Sequence, residues 1–330
     1  MNATDEATMT WLLAGDPAIR WQTRRDLLDE PPALWAADRA QVALTGWGAR
    51  LLARQDPAGT WGGGLYSPKW ISTTYTLLTL RHLGLPPDNA QARVGCMLLL
   101  EQGFYRDGGI NFFKSYRTSE TCVTGMVLAL LSYFQCRDER VPQIVTHLLG
   151  QQMEDGGWNC ERPRGATHGS FHTTLSVLEA LHEYVQLAPD GASAVQTAVD
   201  RAHEFLWQHR LYRSHRTGQV ADPDLIRIFF PPRWRYDFLR ALDYFQAVNA
   251  PADDRMTDAV QLLLSKQTPD GRWKQGTNWA GQVFFYMEKV GQPGRWNTLR
   301  GLRVLRWWRR SEIRTRAWVK NVSPSGGMSE

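Results

Sequence analysis

The chain has 330 residues, 43% hydrophobic and 22% charged, and its 38 basic residues outnumber 33 acidic ones for a net charge of +5. That excess is too mild to mark a nucleic-acid binder, and no nucleic acid is expected as a partner; no apolar run reaches the roughly 18 residues that cross a bilayer. The opening residues 1–6 are acidic and lack the apolar core of a signal peptide, so a cytoplasmic location is expected, with Cys96, Cys122, Cys136 and Cys160 as thiols or metal ligands rather than disulfides.

Asp16-Pro17 predicts a helix start, an acidic N-cap followed by proline at the first helical position, and an amphipathic helix runs from there to Leu28. A helix over 37–54 leads into a glycine turn and then a helix over 71–83, closed by Gly84 and Pro86. Further pairs are expected at 89–101 and 119–134, 140–152 and 170–186, 193–209 and 233–247, and 255–266 and 295–309, with a short extra helix over 276–290. Residues 321–330, rich in Ser and Gly, are expected to be a disordered tail, leaving 1–320 as a single domain.

One phrase, Gln-x-x-x-Gly-x-Trp, recurs three times at these turns: Gln55 to Trp61, Gln152 to Trp158 and Gln267 to Trp273. A looser copy runs from Gln102 to Gly109 and has no tryptophan. The spacing corresponds to a unit of roughly 50 residues, a helix pair around a glycine turn, which is the signature of a repeat architecture. The glutamine amide can bond orphan groups at a helix end, and the indole can cover it. The chain carries 15 tryptophans, several-fold the usual share, so some indoles serve the turns and others can line a cavity.

Six of the expected helices, over 17–28, 71–83, 119–134, 170–186, 233–247 and 295–309, each follow a Gly- or Pro-bearing loop. Several are small or apolar on most faces, as from Thr121 to Leu131. A helix apolar nearly all round is buried. Six buried and about six outer helices predict an all-α fold, an α/α toroid of concentric rings. On these repeats the chain resembles the terpenoid cyclase and protein prenyltransferase superfamily over roughly residues 15–310. The resemblance implies a central cavity lined by the N-terminal ends of the inner helices.

The acidic motifs of that superfamily's cyclases are missing: Asp222-Pro-Asp224 and Asp253-Asp254 fall short of them. The prenyltransferase branch fits better. Lys114-x-x-Arg117-x-x-Glu120-x-Cys122 and Phe171-His172-Thr173 resemble the family's diphosphate-binding bases and zinc ligands. Glu stands where the family has Asp, Val123 replaces a phosphate-contacting tyrosine, and there is no counterpart of a diphosphate histidine near Trp70. The family's enzymes also work with a separate subunit, which one chain cannot reveal. Without the family, Glu120, Cys122, Cys160, His168 and His172 still fall close together in sequence and suit Zn2+. The expected ligands are Cys122, Cys160 and His172, with Glu120 or a water fourth and His168 in reserve. The zinc would be catalytic if one position stays open and structural otherwise.

Arg20-Trp21, Lys69-Trp70, Arg117, Arg233-Trp234-Arg235-Tyr236 and Arg295-Trp296 open the inner helices and would ring one mouth. Lys114, Arg117 and Arg235 suit an anionic head; Trp70, Trp158, Phe171, Trp234 and Trp296 suit an apolar body. Glu120 and Asp237 are candidate acid–base groups, with Tyr236 beside them. The basic stretch 300–320, carrying Trp307, Trp308 and Trp318, allows a peripheral membrane contact. The leading expectation is zinc-dependent prenyl or alkyl transfer on an isoprenoid-like, amphipathic anion. Three readings stand beside it: a zinc hydrolase or hydratase, a metal-free cyclase using Asp222, Asp224 or Asp237, and a non-catalytic lipid-binding toroid.

Overall fold

The computed structural model describes residues 3–113 and 115–322, with side chains from 6 to 113 and from 115 to 311. Its helices are α1 (Ala3–Leu13), α2 (Pro17–Asp26), α3 (Pro32–Gln41), α4 (Gly46–Leu52), α5 (Thr73–Leu83), α6 (Ala90–Gly103) and α7 (Thr121–Tyr133). They continue as α8 (Arg140–Gly150), α9 (Phe171–Leu187), α10 (Ala192–Gln208), α11 (Phe238–Ala247), α12 (Thr257–Ser265) and α13 (Arg295–Val322). Among the described residues there are isolated bridges but no strands.

The repeated phrase explains how outer and inner helices join. In each copy the glutamine Nε2 donates to the glycine carbonyl, at 2.9, 2.9 and 3.0 Å for Gln55, Gln152 and Gln267. Each indole Nε1 donates to a carbonyl in the last turn of the preceding outer helix: Trp61 to Leu51 at 2.7 Å, Trp158 to Leu148 at 2.7 Å, Trp273 to Leu263 at 2.8 Å. Each of those carbonyls lies in the last helical turn and also accepts one backbone N–H, from Arg54, Gln151 or Lys266, so the indole is a second donor that reinforces the helix end while burying its ring completely. The tryptophan backbone N–H then donates to a threonine in the first turn of the next inner helix, Thr73, Thr174 or Thr298. In the loose copy Ile110 takes the indole's place and bonds Thr124 in the same way at 3.0 Å. Gly156 sits at φ +87°, and a Cβ there would stand 2.4 Å from the Arg201 carbonyl oxygen. Thr174→Val keeps the shape but strands the buried Trp158 N–H. A loss of about 1–3 kcal/mol is expected, read by urea unfolding.

Six inner helices close a ring by named bonds. Trp21 of α2 donates to the Leu83 carbonyl of α5, and α5 packs on α7 and α7 on α9. Glu179 of α9 pairs with Arg240 of α11, Asp243 of α11 with Arg300 of α13, and Arg303 of α13 with Asp26 of α2. The inner helices are the six expected from apolar composition, and the remaining helices lie outside them, so the fold is the all-α toroid of concentric rings. The unforeseen α1 docks on the last repeat turn, where Arg295 Nε donates to the Trp11 carbonyl and Arg272 lies over the Trp11 ring.

The other departures have local causes. The helix expected over 37–54 breaks at Gly46 (φ +68°), because the Asp16 carboxylate reaches across to accept the Trp47 N–H at 2.7 Å. The helix expected from 233 starts only at Phe238. Pro231 and Pro232 cannot donate to a helix ladder, Arg233 lies at φ +57°, and Asp237 is the N-cap, accepting from Arg240 N at 2.8 Å. Segment 276–290 forms no helix. It folds over the N-terminal mouth, where Gln282 and Lys69 and Trp70 exchange backbone bonds and Trp70 Nε1 donates to the Ala280 carbonyl. Helix α13 continues past 309 to Val322; residues 323–330 of the expected tail lie outside the described residues. No described helix is long and apolar enough to cross a membrane.

Candidate active site

A long connection after α10, residues 209–237, brings Phe230-Pro231-Pro232-Arg233 to the barrel axis. Phe230 stacks on Trp296 at 4.3 Å and meets His82 edge-on. Phe230 lines the spaces on both sides of this segment: a small cavity of about 40 Å³ toward the N-terminal mouth, and a cavity of about 450 Å³ toward the C-terminal ends of the inner helices. The segment is thus a partition across the ring.

The larger cavity is walled by six arginines (Arg25, Arg39, Arg81, Arg240, Arg300, Arg303) against four carboxylates (Asp26, Glu179, Glu183, Asp243). All but Arg39, which donates to the Gly84 carbonyl and the Tyr133 hydroxyl, are in ion pairs. Glu179 accepts from Arg240 at 2.8 and 3.0 Å and faces Arg81 at 3.4 Å. Burial alone would raise its pKa, but the Arg240 and Arg81 guanidinia hold it at about 2. Arg81 also reaches Glu183 at 2.8 Å, and Arg303 joins Asp243 to Asp26. His82 is driven down to about 3 by burial and then by Arg81, so it stays neutral at physiological pH.

Asp237 lies directly behind two of these arginines. It is 0% exposed. One oxygen accepts the Arg240 N–H at 2.8 Å and stands 3.9 Å from the Arg300 guanidinium, while Oδ2 has no hydrogen-bond partner among the described residues. Burial raises its pKa to about 6; Arg300 and the backbone N–H groups restrain a larger rise. Of the sequence's candidate acids, Asp237 therefore has the environment of a proton donor. Asp222 is an exposed N-cap of the turn at 223–226 and Asp224 pairs with Arg227 at 2.8 Å. Tyr236 is buried with its hydroxyl committed to the Leu211 carbonyl, a structural bond rather than a free acid.

The proposed zinc ligands come only partly together. The Cys122 and Cys160 thiols meet: the Cys122 S–H, itself pushed up, bonds Cys160, which this contact draws down to about 7. Glu120 is close enough to be felt by both sulfurs, and burial raises its pKa. His172 does not join them. Its Nδ1 accepts the Tyr236 backbone N–H at 2.8 Å, its ring abuts Trp234 at 5.1 Å, and burial holds it at about 4. The long connection from 209 to 237 captured this imidazole, which spacing in the sequence does not show. His168 is exposed on the loop before α9, with its carbonyl bonded by Asn159. Among the described residues no three of His, Cys, Asp and Glu are grouped to hold a metal. Of the expected donors Cys122, Cys160, His172, Glu120 and His168, the two thiols meet with Glu120 near them, while His172 bonds the Tyr236 N–H and His168 is exposed. In alkylation with iodoacetamide followed by peptide mass spectrometry, Cys160 is expected to react before Cys122, with a rate that climbs through about pH 7.

The expected ring of bases and aromatics is also redistributed. Arg20 turns out to Asp38 at 2.9 Å, and Arg295 to Trp11. Arg117 is exposed on the loop before α7, and Lys114 lies outside the described residues. Trp158 is a fully buried wedge of its repeat turn. Phe171 packs into a cluster with Phe205, His209 and Tyr236. Trp307 and Trp308 are buried and Arg303, Arg306 and Arg310 pair with aspartates, while Arg309 and Arg310 are exposed; the side chain of Trp318 is not described. What remains at the mouth is a ladder in which cations and indoles alternate. Arg227 and Arg235 flank Trp279, Arg235 and Lys69 flank Trp234, and Lys69 and Arg233 flank Trp70, at 3.5 to 5.7 Å from the ring centres. Sequence reasoning quoted Arg233 but did not select it, and missed Glu179, Arg240 and Glu288. Glu288 caps α13 through Arg295 N at 2.5 Å and is raised by burial to about 7; a helix expected over its loop hid it.

No protein-family model matches the chain, and no curated protein matches it. Among solved structures it is similar to the apo type II terpene cyclase MstE from Scytonema, with 15% identity over 94% of this chain and 98% of that one, TM-score 0.46. A variant of that cyclase in complex with geranylgeranyl dihydroxybenzoate gives 17% identity, 93% and 97% coverage, TM-score 0.47. A protein from Actinoplanes gives 18%, 89% and 90%, TM-score 0.45. Likenesses at this level assign no substrate and no residue role.

Proposed function

We propose that the protein is a metal-independent enzyme that protonates an isoprenoid-like substrate from Asp237 and closes it into a ring. The supporting observation is the Asp237 carboxyl: wholly buried, raised to about 6, and at the threshold of an inner helix, with one oxygen lacking a hydrogen-bond partner among the described residues. Burial keeps the proton on near neutrality, while the Arg300 guanidinium at 3.9 Å stabilises the carboxylate left after transfer. In the step itself, the O–H proton adds to an alkene carbon, the resulting cation takes the electron pair of an internal alkene to form a C–C bond, and loss of a proton ends the sequence. Phe230 and Trp296, stacked on the large cavity, offer π faces to the cation. Approach to Asp237 requires the partition or Arg300 to move aside.

Prenyl transfer on zinc depends on a third donor, which the described residues do not bring to Cys122 and Cys160. The test is turnover of linear polyprenyl alcohols and diphosphates by chelator-treated protein, with products read by gas chromatography–mass spectrometry. Cyclic product under these conditions is the expected result. Dependence on added zinc would sink the proposal.

A further inference from the structure

Arg233 is 8% exposed, yet it makes no ion pair and no side-chain hydrogen bond among the described residues. A buried charge is ordinarily paired, because losing its hydration is costly. Every other arginine buried to this degree, Arg240 and Arg300, has a carboxylate. Arg233 has only the Trp70 face, 4.6 Å beneath its guanidinium, and the electrostatic influence of the Tyr75 hydroxyl. It is held at φ +57°, a conformation that non-glycine residues seldom adopt without surrounding constraint. Its side chain lines the small cavity of about 40 Å³ together with Thr76 and Asn278, room for one compact polar group. Lys69, whose Nζ lies 5.6 Å from the Trp70 ring centre, also has no ion pair among the described residues. The cavity's one acid, Glu288, uses its oxygens on the first backbone N–H groups of α13, and burial raises it to about 7. It does not neutralise Arg233.

We infer that Arg233, with Lys69 also beside the Trp70 ring, is the receptor for the oxyanion head, phosphate or carboxylate, of the substrate. A planar guanidinium with all five N–H donors unspent is matched to such a group. The inference rests on the reading that the barrel takes an amphipathic substrate, and it moves the head from Lys114 and Arg117, where the sequence pattern suggested it, to the barrel axis. The tail then starts at the Phe230 partition that separates this cavity from the larger one.

Isothermal titration calorimetry at fixed ionic strength, with inorganic pyrophosphate and with octanoate as separate probes, tests it without turnover. The expected result is saturable one-per-chain binding of at least one probe, which also tells phosphate from carboxylate. Arg233→Met weakens it at least tenfold and Lys69→Met less, with melting curves establishing that each variant is folded. Should Arg233→Met fail to fold, Arg233→Lys, which keeps charge and most of the volume but loses the fork, is expected to weaken binding at least threefold. No binding of either probe, or equal binding by wild type and the folded Arg233 variant, overturns the inference. Binding through Arg233 in a protein that never cyclises a polyene would leave the anion site standing and remove only the cyclase reading.

Discussion

Glu179→Gln is expected to destabilise the protein by about 3–5 kcal/mol, the cost of removing one member from a buried ionic cluster. Glu179 is only 9% exposed and joins three inner helices, accepting Arg240 of α11 at two oxygens and facing Arg81 of α5. Glutamine fits the space but leaves Arg240 buried without a counter-charge, since its remaining partner is the Arg235 carbonyl. A surface pair offers the comparison. Glu101 meets Arg140 at 2.7 Å with 57% of its side chain exposed, and Arg140 keeps Asp138 when it is lost. Glu101→Gln is expected to leave the unfolding midpoint almost unmoved, because solvent screens an exposed pair. Urea unfolding of both variants checks the contrast. The pH dependence follows from the depressed pKa. Glu179's stabilisation is present above its ordinary value of 4.5 and is lost as pH falls toward about 2.

The same cluster shows why the frame was legible in the sequence and the chemistry was not. The Gln–Gly–Trp phrase encodes local bonds: glutamine to glycine four residues on, indole to a carbonyl ten residues back. Such bonds depend on nearby chain alone, so period and apolar composition located the turns and the six inner helices. The site depends on what crosses the axis. Nothing near His172 in sequence announces that the Tyr236 N–H, 64 residues later, will occupy its Nδ1. Cys122 and Cys160 did meet, because α7 and α9 are adjacent and the repeat turn fixes the approach of Cys160. Glu179 and Arg240 gave no motif to read, and Arg233 appeared only within a basic–aromatic phrase. Their roles follow from which charges find partners when six helices converge, and the partition that decides this is an irregular segment set by Pro231, Pro232 and a left-handed Arg233.

Asp237→Asn is expected to lower turnover by about 10²–10⁴-fold, the usual contribution of a positioned proton donor. It should do so in a protein that is no less stable. Asparagine is as good an N-cap as aspartate, so the bond from Arg240 N survives. The folded state holds the Asp237 proton to about pH 6, whereas the unfolded chain releases it near 3.8. Between those values the folded state binds the extra proton, so wild-type stability falls as pH rises through that window, by about 3 kcal/mol in all. The variant has nothing to ionise there. Measured by denaturant at pH 8, it is expected to exceed wild type by about 1–3 kcal/mol, the lower figure if Arg300 leans on Asp237 as well as on Asp243. Wild-type turnover should decline above about pH 6, tenfold per unit, as the acid form disappears. A purely structural aspartate with the same raised pKa predicts the same gain in stability from its amide, but no loss of turnover and no pH limb removed from the rate. A site that forgoes stability to keep a proton in a dry, aromatic interior has that stability returned when the proton's carrier is replaced, and the rate, read beside unfolding, separates the two cases.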